Sequence, residues 1–392
     1  MYVFFILLLL ILLLLILEQG LLYFARKKIP LVIQVNGTRG KSTVTRIIYE
    51  LLRGTGRRVC GKTSGSAAMF LYPDGSEKPL KRIGPANVRE QRNMLLKSAC
   101  LKADVFVVEC NAVKPELQLV SSRYLRPDIT VITNVREDHA AEQGNAGQRA
   151  ASFAGAVPRG SVLISLDSPF DPVWKKAARQ NNLRLISVSA GAAAWGGDID
   201  NVFPENTALV FALADYLRLD RRRVPASIAA YPADPGAFGC YAWENGRRRI
   251  GFIDARAAND PESTQKILGP CMKRLKEIMK NPRCILLVVN REDRPDRTRV
   301  FMRYALDMAD SFDMFLFLGH RPRSLRKALQ ALPAVFIKGT AELEKILQEE
   351  PERDTILAAA GNYGGGGRLM TIWLEAKKKE AGFIRITDIK LS

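Results

Sequence analysis

Leu31-Val-Ile-Gln-Val-Asn-Gly-Thr-Arg-Gly-Lys-Ser-Thr43 dictates the architecture around it. Leu31 to Val35 form a short apolar run of β-branched character, suited to a strand buried on both faces of a parallel sheet. A sharp turn follows, and then a helical stretch to about Leu52. A glycine-rich turn between strand and helix presents backbone N–H groups to phosphate, reinforced by the helix N-terminus. Gly37, Thr38, Arg39, Gly40, Lys41, Ser42 and Thr43 are therefore the expected phosphate-binding residues. Lys41 is placed to neutralise the β- and γ-phosphates, and the Ser42 hydroxyl to ligate Mg²⁺. The full P-loop pattern has a glycine five residues before Gly40, where this chain has Val35, so the loop is a shortened form. An ordinary loop that happens to contain Gly-Lys-Ser is the alternative, and the strand before and helix after weigh against it.

Working outward, strands are expected at Val105–Glu109, Ile129–Thr133, Ser161–Leu166 and Leu185–Ser189, with helices such as Arg89–Ala99 and Gln148–Ala156 between them. That alternation predicts a parallel α/β sheet covered on both faces. A second series follows the turn-rich stretch Tyr231-Pro-Ala-Asp-Pro-Gly236, with strands at Arg249–Ile253, Ile285–Val289, Met314–Leu318, Val335–Ile337 and Thr355–Ala359. The fold class is α/β: an N-terminal transmembrane helix, a P-loop-type parallel-sheet ATPase domain, then a smaller Rossmann-like domain. The expected division is residues 1–28, 29–240 and 241–392. Gly364-Gly-Gly-Gly367 reads as a flexible loop.

From Tyr2 to Leu17 every residue is apolar, enough for about 24 Å of helix. Leu21, Leu22 and Phe24 extend the span, with Tyr23 at the interface. No cation precedes the run, and Glu18-Gln-Gly-Leu21 is a poor cleavage site, which argues against a signal peptide. Arg26, Lys27 and Lys28 follow the run and place the C-terminal side in the cytoplasm. A single-pass anchor in the cell membrane, with cytoplasmic catalytic domains, is expected.

The 392-residue length suits two soluble domains, and 47% apolar with 25% charged residues is a globular composition. The net charge of +19 suits either an anionic membrane surface or a polyanionic substrate or product. No zinc-finger spacing, aromatic–basic stacking motif or recognition-helix signature accompanies it, so nucleic acid is not expected as a partner. The six cysteines lie far apart with no C-x-x-C pair, as reduced, mostly buried thiols do.

Two further features belong with the phosphate loop. Glu109 ends a strand, at the sheet edge where α/β proteins bind ligands, and can hold Mg²⁺ directly or through water. Asn134-Val-Arg-Glu-Asp-His139 follows the next strand and brings an imidazole to the same edge; a structural histidine is the alternative. In the second domain, Arg291, Asp293, Arg294 and Arg297 form a basic cluster with interleaved acids. It reads either as a self-paired surface network or as a site for phosphate or a γ-carboxylate.

Taken together, Gly37–Thr43, Glu109 and Asn134-Val-x-x-Asp-His139 resemble the Mur ligase and folylpolyglutamate synthetase superfamily. Ala257-Ala-Asn-Asp260 and Arg291-Glu-Asp-Arg-Pro-Asp-Arg-Thr298 resemble its poly-γ-glutamate synthase ligase branch. Gly61-Lys-Thr-Ser-Gly65, Asp234-Pro-Gly-Ala237 and Gly361-Asn362 extend the likeness along nearly the whole chain. The resemblance implies an ATP-dependent amide ligase that polymerises glutamate through an acyl phosphate, with ATP and Mg²⁺ as cofactors. Lys41, Glu109, His139, Asp260, Arg291 and Arg294 are the implied catalytic residues. Ser42, Ser64, Glu109 and His139 are implied for the metal. Asn206, just before the apolar helix Ala208–Leu217, is implied at the adenine, and Asn259 and Asp260 in the segment that closes over ATP. Glutamate, poly-γ-glutamate and membrane-protein subunits of an export complex are the implied partners, and self-association stays open.

Two departures qualify the likeness. Mur ligases carry a metal-binding carbamylated lysine one helix after the histidine, whereas Ala150-Ala-Ser-Phe-Ala154 has none. Pro235-Gly-Ala-Phe238 lacks the arginine that peptidoglycan ligases carry after this turn, leaving Arg291 or Arg294 to supply the charge. The competing functions are a Mur-type ligase for folate or a cell-wall precursor, and an ATPase subunit that energises export or assembly.

Overall fold

The parallel core around the strand Leu31–Asn36 forms as its sequence requires, with Val32, Ile33 and Val35 fully buried. The computed structural model describes residues 2–65, 68–82, 84, 86–136, 145–189, 202–232, 238–258, 260–320 and 328–386. They form two compact units, one up to Pro232 and one from Phe238 onward.

The first unit begins with α1 (Tyr2–Lys27), β1 (Leu31–Asn36), α2 (Lys41–Arg53), β2 (Val59–Thr63), β3 (Met69–Leu71) and β4 (Glu77–Pro79). It continues with α3 (Arg89–Cys100), β5 (Val105–Glu109), α4 (Pro115–Leu125), β6 (Ile129–Ile132), α5 (Ala146–Gly155) and β7 (Val162–Leu166). It closes with α6 (Asp171–Asn181), β8 (Arg184–Val188), α7 (Pro204–Tyr216) and α8 (Arg223–Ala230). The sheet order is β4-β3-β2-β5-β1-β6-β7-β8. β2, β5, β1, β6, β7 and β8 are parallel, whereas β3 and β4 extend the β2 side antiparallel. The sheet is thus mixed rather than purely parallel, because β3 and β4 return through short turns instead of helical crossovers.

In the second unit, β9 (Gly239–Asn245), β10 (Arg248–Asp254), α9 (Pro261–Ile278), β11 (Arg283–Asn290) and α10 (Pro295–Asp307) come first. β12 (Met314–Gly319), β13 (Ala334–Ile337), α11 (Thr340–Gln348), β14 (Thr355–Gly361), α12 (Gly367–Lys377) and β15 (Ile384–Arg385) follow. The order is β13-β12-β11-β14-β10-β9-β15, with five parallel strands and an antiparallel β9–β15 edge. Trp243, Phe252 and Trp373 pack edge-on beneath it. The glycine run does not stay a loop throughout, since Gly367 is buried as the first residue of α12. Its carbonyl accepts from Arg256, whose guanidinium also grips both oxygens of Asp254 at 2.7 and 2.6 Å. Arg256 is fully buried, and breaking such a pair by losing one partner typically costs about 3–5 kcal/mol.

α1 is long and apolar enough to cross a membrane, alone in this among the described residues. Its last turns behave differently from the rest. Leu22 and Ala25 are buried with Ile29 against Leu95, Ala99, Phe106 and Leu125 of the first unit. Leu22 therefore belongs to that core rather than to an extended span, and its burial contributes about 1.5–3 kcal/mol. Arg26 donates to Asp128 Oδ2 at 2.6 Å and to the Arg126 carbonyl at 3.0 Å, and Glu18 pairs with Arg92.

Candidate active site

The C-terminal edge of the first sheet gathers the phosphate loop, the Ser64 turn, Glu109 and Asn134. β1 lies at its centre with β5 and β6 on either side, so Val35 is level with Glu109 and Asn36 with Ile132. The chain leaves β1 and β5 toward opposite sides, which opens a crevice at this edge. Gly37 and Gly40 adopt φ +122° and +78°. A Cβ at Gly37 would fall 2.2 Å from Thr133 Oγ1, and one at Gly40 would fall 2.4 Å from Asn206 Oδ1. Any larger residue at either position pushes the loop off its supports.

Asn134 clamps this loop. Its side-chain oxygen accepts from Arg39 N at 2.9 Å, its amide donates to Arg39 O at 3.2 Å, and its carbonyl accepts from Thr38 N at 3.0 Å. Arg136 N donates to Thr38 Oγ1 at 3.1 Å. Gly40 caps α2 directly, so the first-turn N–H groups of that helix face the loop's concavity. Lys41 Nζ donates to Gly37 O at 2.8 Å and Thr38 O at 3.1 Å, folded back over the same concavity.

Glu109 is 3% exposed, and its Oε2 accepts from Ser42 Oγ at 2.8 Å and Ser64 N at 2.7 Å. Two donors from separate segments thus converge on one carboxylate oxygen of a third. Among the described residues no three His, Cys, Asp or Glu side chains cluster as a metal site. One carboxylate, hydroxyls and the oxygens of a bound phosphate make a hard-oxygen donor set, and that set fits Mg²⁺ better than a soft metal.

Behind Glu109 lies a buried charge network that sequence reasoning did not single out. Lys62 of β2 is fully buried, and burial pushes its ammonium below the usual range against the pull of Glu109 and Glu90. Its Nζ lies 3.5 Å from Glu90. Arg82 grips Glu90 through two bonds of 2.7 and 2.9 Å. Burial acts to raise the Glu90 pKa, but the Arg82 fork and Lys62 outweigh it and hold the carboxyl below its usual range. Gln91 Nε2 donates to Glu109 O at 3.0 Å and to Asn111 Oδ1 at 2.9 Å, which fixes the backbone that carries the carboxylate.

Asn206 does not precede its helix: it is the third residue of α7 and is buried against Gly40. Pro204 supplies the helix start, so the boundary falls four residues earlier than the apolar pattern suggested. His139 and Asn259 lie outside the described residues. In the second unit, Asp260 caps α9, accepting from Ser263 N and Oγ, each at 2.8 Å. Arg291 is paired with Asp293 at 2.8 and 2.6 Å, and this fork holds the Asp293 carboxyl below its usual range. Arg294 is exposed as the N-cap of α10, and Arg297 reaches Asn362 Oδ1 at 3.4 Å. The ends of β11 and β14 thereby bring the arginine cluster and Gly361-Asn362 together.

Residues 35–218 match the Mur ligase middle domain, and residues 240–377 match the poly-gamma-glutamate synthase CapB C-terminal domain. The PGA synthase CapB of Bacillus subtilis (strain 168) is 30% identical over 369 residues, which span 90% of this chain and 92% of that protein. The chain belongs to the CapB family of poly-γ-glutamate synthases. MurF from Acinetobacter baumannii shares the fold, with a TM-score of 0.66 at 16% identity over 92% of this chain and 80% of that one. E. coli FolC, solved in complex with DHPP and ADP, does so with a TM-score of 0.61 at 17% identity, covering 92% and 93%. As a CapB-family member with a Mur ligase domain, the chain is an ATP-dependent amide ligase.

Proposed function

We propose that this ligase lengthens poly-γ-glutamate by activating the terminal carboxylate of the growing chain as an acyl phosphate. The observation that carries this reading is the convergence of Ser42, Ser64 and Glu109 beside the phosphate loop. A carboxylate is a poor electrophile, and its hydroxide is a poor leaving group. In the first step a carboxylate oxygen attacks the γ-phosphorus of ATP and ADP leaves. In the second, the amine of an incoming glutamate attacks the acyl carbon, phosphate departs, and the nitrogen gives up a proton to solvent.

Each residue has a part in this scheme. Gly37 to Thr43 bind the triphosphate through backbone N–H groups, and Lys41 neutralises the phosphoryl group in transfer. Ser42 and Glu109, with Ser64 and His139, hold Mg²⁺; when bound, the cation offsets phosphate charge and aligns the triphosphate. Asn206 supports the nucleotide side of the loop. Asn259 and Asp260 contribute to closure over ATP, and Arg291 and Arg294 bind the γ-carboxylate or the phosphate. For Arg291 this requires release from Asp293. Catalysis rests on positioning and charge, with no covalent enzyme nucleophile.

The same reading makes α1 a permanent membrane anchor, with the ligase at the cytoplasmic face beside membrane-protein partners that export the polymer. Burial of Leu22 and Ala25 in the first unit supports retention of the helix, because cleavage upstream of them would leave a core helix with no preceding turns. The net charge of +19 suits a polyanionic product.

The test is ATP hydrolysis by the membrane-bound chain with and without glutamate. Hydrolysis is expected to depend on glutamate and to accompany a lengthening γ-linked product. Hydrolysis that ignores glutamate would favour an ATPase that energises export without forming a bond.

A further inference from the structure

The way α1 docks on the first unit determines which side of that unit faces the bilayer. Arg26, near the C-terminal end of α1, bonds to Asp128, and Asp128 Oδ2 also accepts from Val32 N at 2.7 Å. Asp128 immediately precedes β6 and Val32 is the second residue of β1, so Arg26 sits at the N-terminal edge of the sheet. Glu18, two turns earlier, pairs with Arg92 in the first turns of α3. That end of α3 is bonded to the opposite edge: Asn111 Nδ2 donates to Glu90 Oε2 at 3.3 Å and to Asn87 O at 3.1 Å, and Gln91 Nε2 donates to Glu109 O.

Helix α1 thus runs parallel to α3, from the C-terminal edge of the sheet at Glu18 to the N-terminal edge at Arg26. The eight residues between cover about 12 Å. Everything before Glu18 projects beyond the edge that carries Gly37–Thr43 and Glu109. The apolar run ends at Leu17, so no spacer separates the span from the docked segment. Helix, salt bridges and buried Leu22 and Ala25 make the joint rigid rather than hinged.

Given the anchor reading above, the geometry points to a ligase whose α3 and α4 N-termini, at the catalytic edge of the first unit, lie against the headgroup layer, beside the phosphate loop and not over it. Exposed surface there suits that neighbour. Arg89 and Lys114 are exposed cations at the starts of α3 and α4. Cations at this depth pair with anionic headgroups. The growing polymer is then made within headgroup distance of any membrane-embedded exporter, without crossing cytoplasm.

The test uses the full chain reconstituted in vesicles containing anionic lipid and a headgroup-attached nitroxide quencher. Cys100, the exposed native thiol, ends α3 at the edge away from the proposed membrane face. Lys114→Cys in a Cys100→Ser background places a thiol at the other edge, about 18 Å along the α3 axis. A fluorophore at position 114 should lose at least half its emission to the quencher, and one at Cys100 should lose little. Insertion of a ten-residue Gly-Ser linker between Leu17 and Glu18 should abolish that difference while the chain stays on the vesicles. An intact, vesicle-bound chain with equal or reversed quenching overturns the orientation alone. A chain recovered without residues 2–17 overturns the anchor reading and the orientation with it.

Discussion

Replacing Lys41 with alanine lowers ATP-dependent glutamate incorporation by about two to three orders of magnitude, the usual loss when one preorganised donor to a developing charge is removed. The cause is local. Nζ rests on the carbonyls of Gly37 and Thr38, inside the concavity proposed for the β- and γ-phosphates. Losing it removes a positive charge from the transferring phosphoryl group, yet takes nothing from the hydrophobic core. The thermal midpoint should therefore stay close to that of the parent chain, and incorporation of labelled glutamate by washed membranes is the readout. Lys41→Arg should recover only a small part, because a planar guanidinium cannot occupy the space of a compact ammonium under the loop. Incorporation unchanged in the alanine variant contradicts the role assigned to this loop.

Glu109→Gln is the second large effect. Glutamine keeps an oxygen to accept from Ser42 Oγ and Ser64 N, so the loops stay joined while the negative charge is gone. Turnover should fall about a hundredfold, and the Mg²⁺ concentration for half-maximal rate should rise at least tenfold. Fully buried Lys62 adds a second consequence: without Glu109 it loses the stronger of the two carboxylates that offset its charge, so a modest loss of thermal stability accompanies the change. A variant with parental Mg²⁺ dependence would remove Glu109 from the metal site, however stable it proved.

The parts of this molecule legible in the sequence are those encoded locally. β1 and its turn announce themselves because apolar, β-branched residues run straight into Gly37 and Gly40, and the structure shows both glycines with positive φ. β5 and β11 read as continuous apolar runs because both faces of each strand are buried. β2 was missed because Gly61 and Lys62 interrupt its apolar run. Only the tertiary partners Glu90 and Glu109 make a buried Lys62 tolerable, and no local pattern reveals partners that far away. β3, β4 and β15 are too short to build a period of their own.

The candidate site follows the same rule. Ser42, Ser64 and Glu109 were each legible as motif residues, and the structure brings the two serines onto one oxygen of Glu109. The clamp by Asn134 and the fork of Arg256 on Asp254 were not legible. Asn134 stood in a quoted motif only as the approach to His139, and nothing around Arg256 sets it apart from 58 other basic residues out of 59. Asn206 lies inside α7 and not before it, since Pro204 starts the helix ahead of the apolar pattern.

The acyl phosphate itself is open to a direct test. A short γ-linked acceptor with ¹⁸O in its terminal carboxylate, given ATP, Mg²⁺ and unlabelled glutamate, should release inorganic phosphate carrying one ¹⁸O for each amide bond formed. Label recovered in AMP, or absent from phosphate while the polymer lengthens, would contradict carboxylate phosphorylation at the Gly37–Thr43 loop.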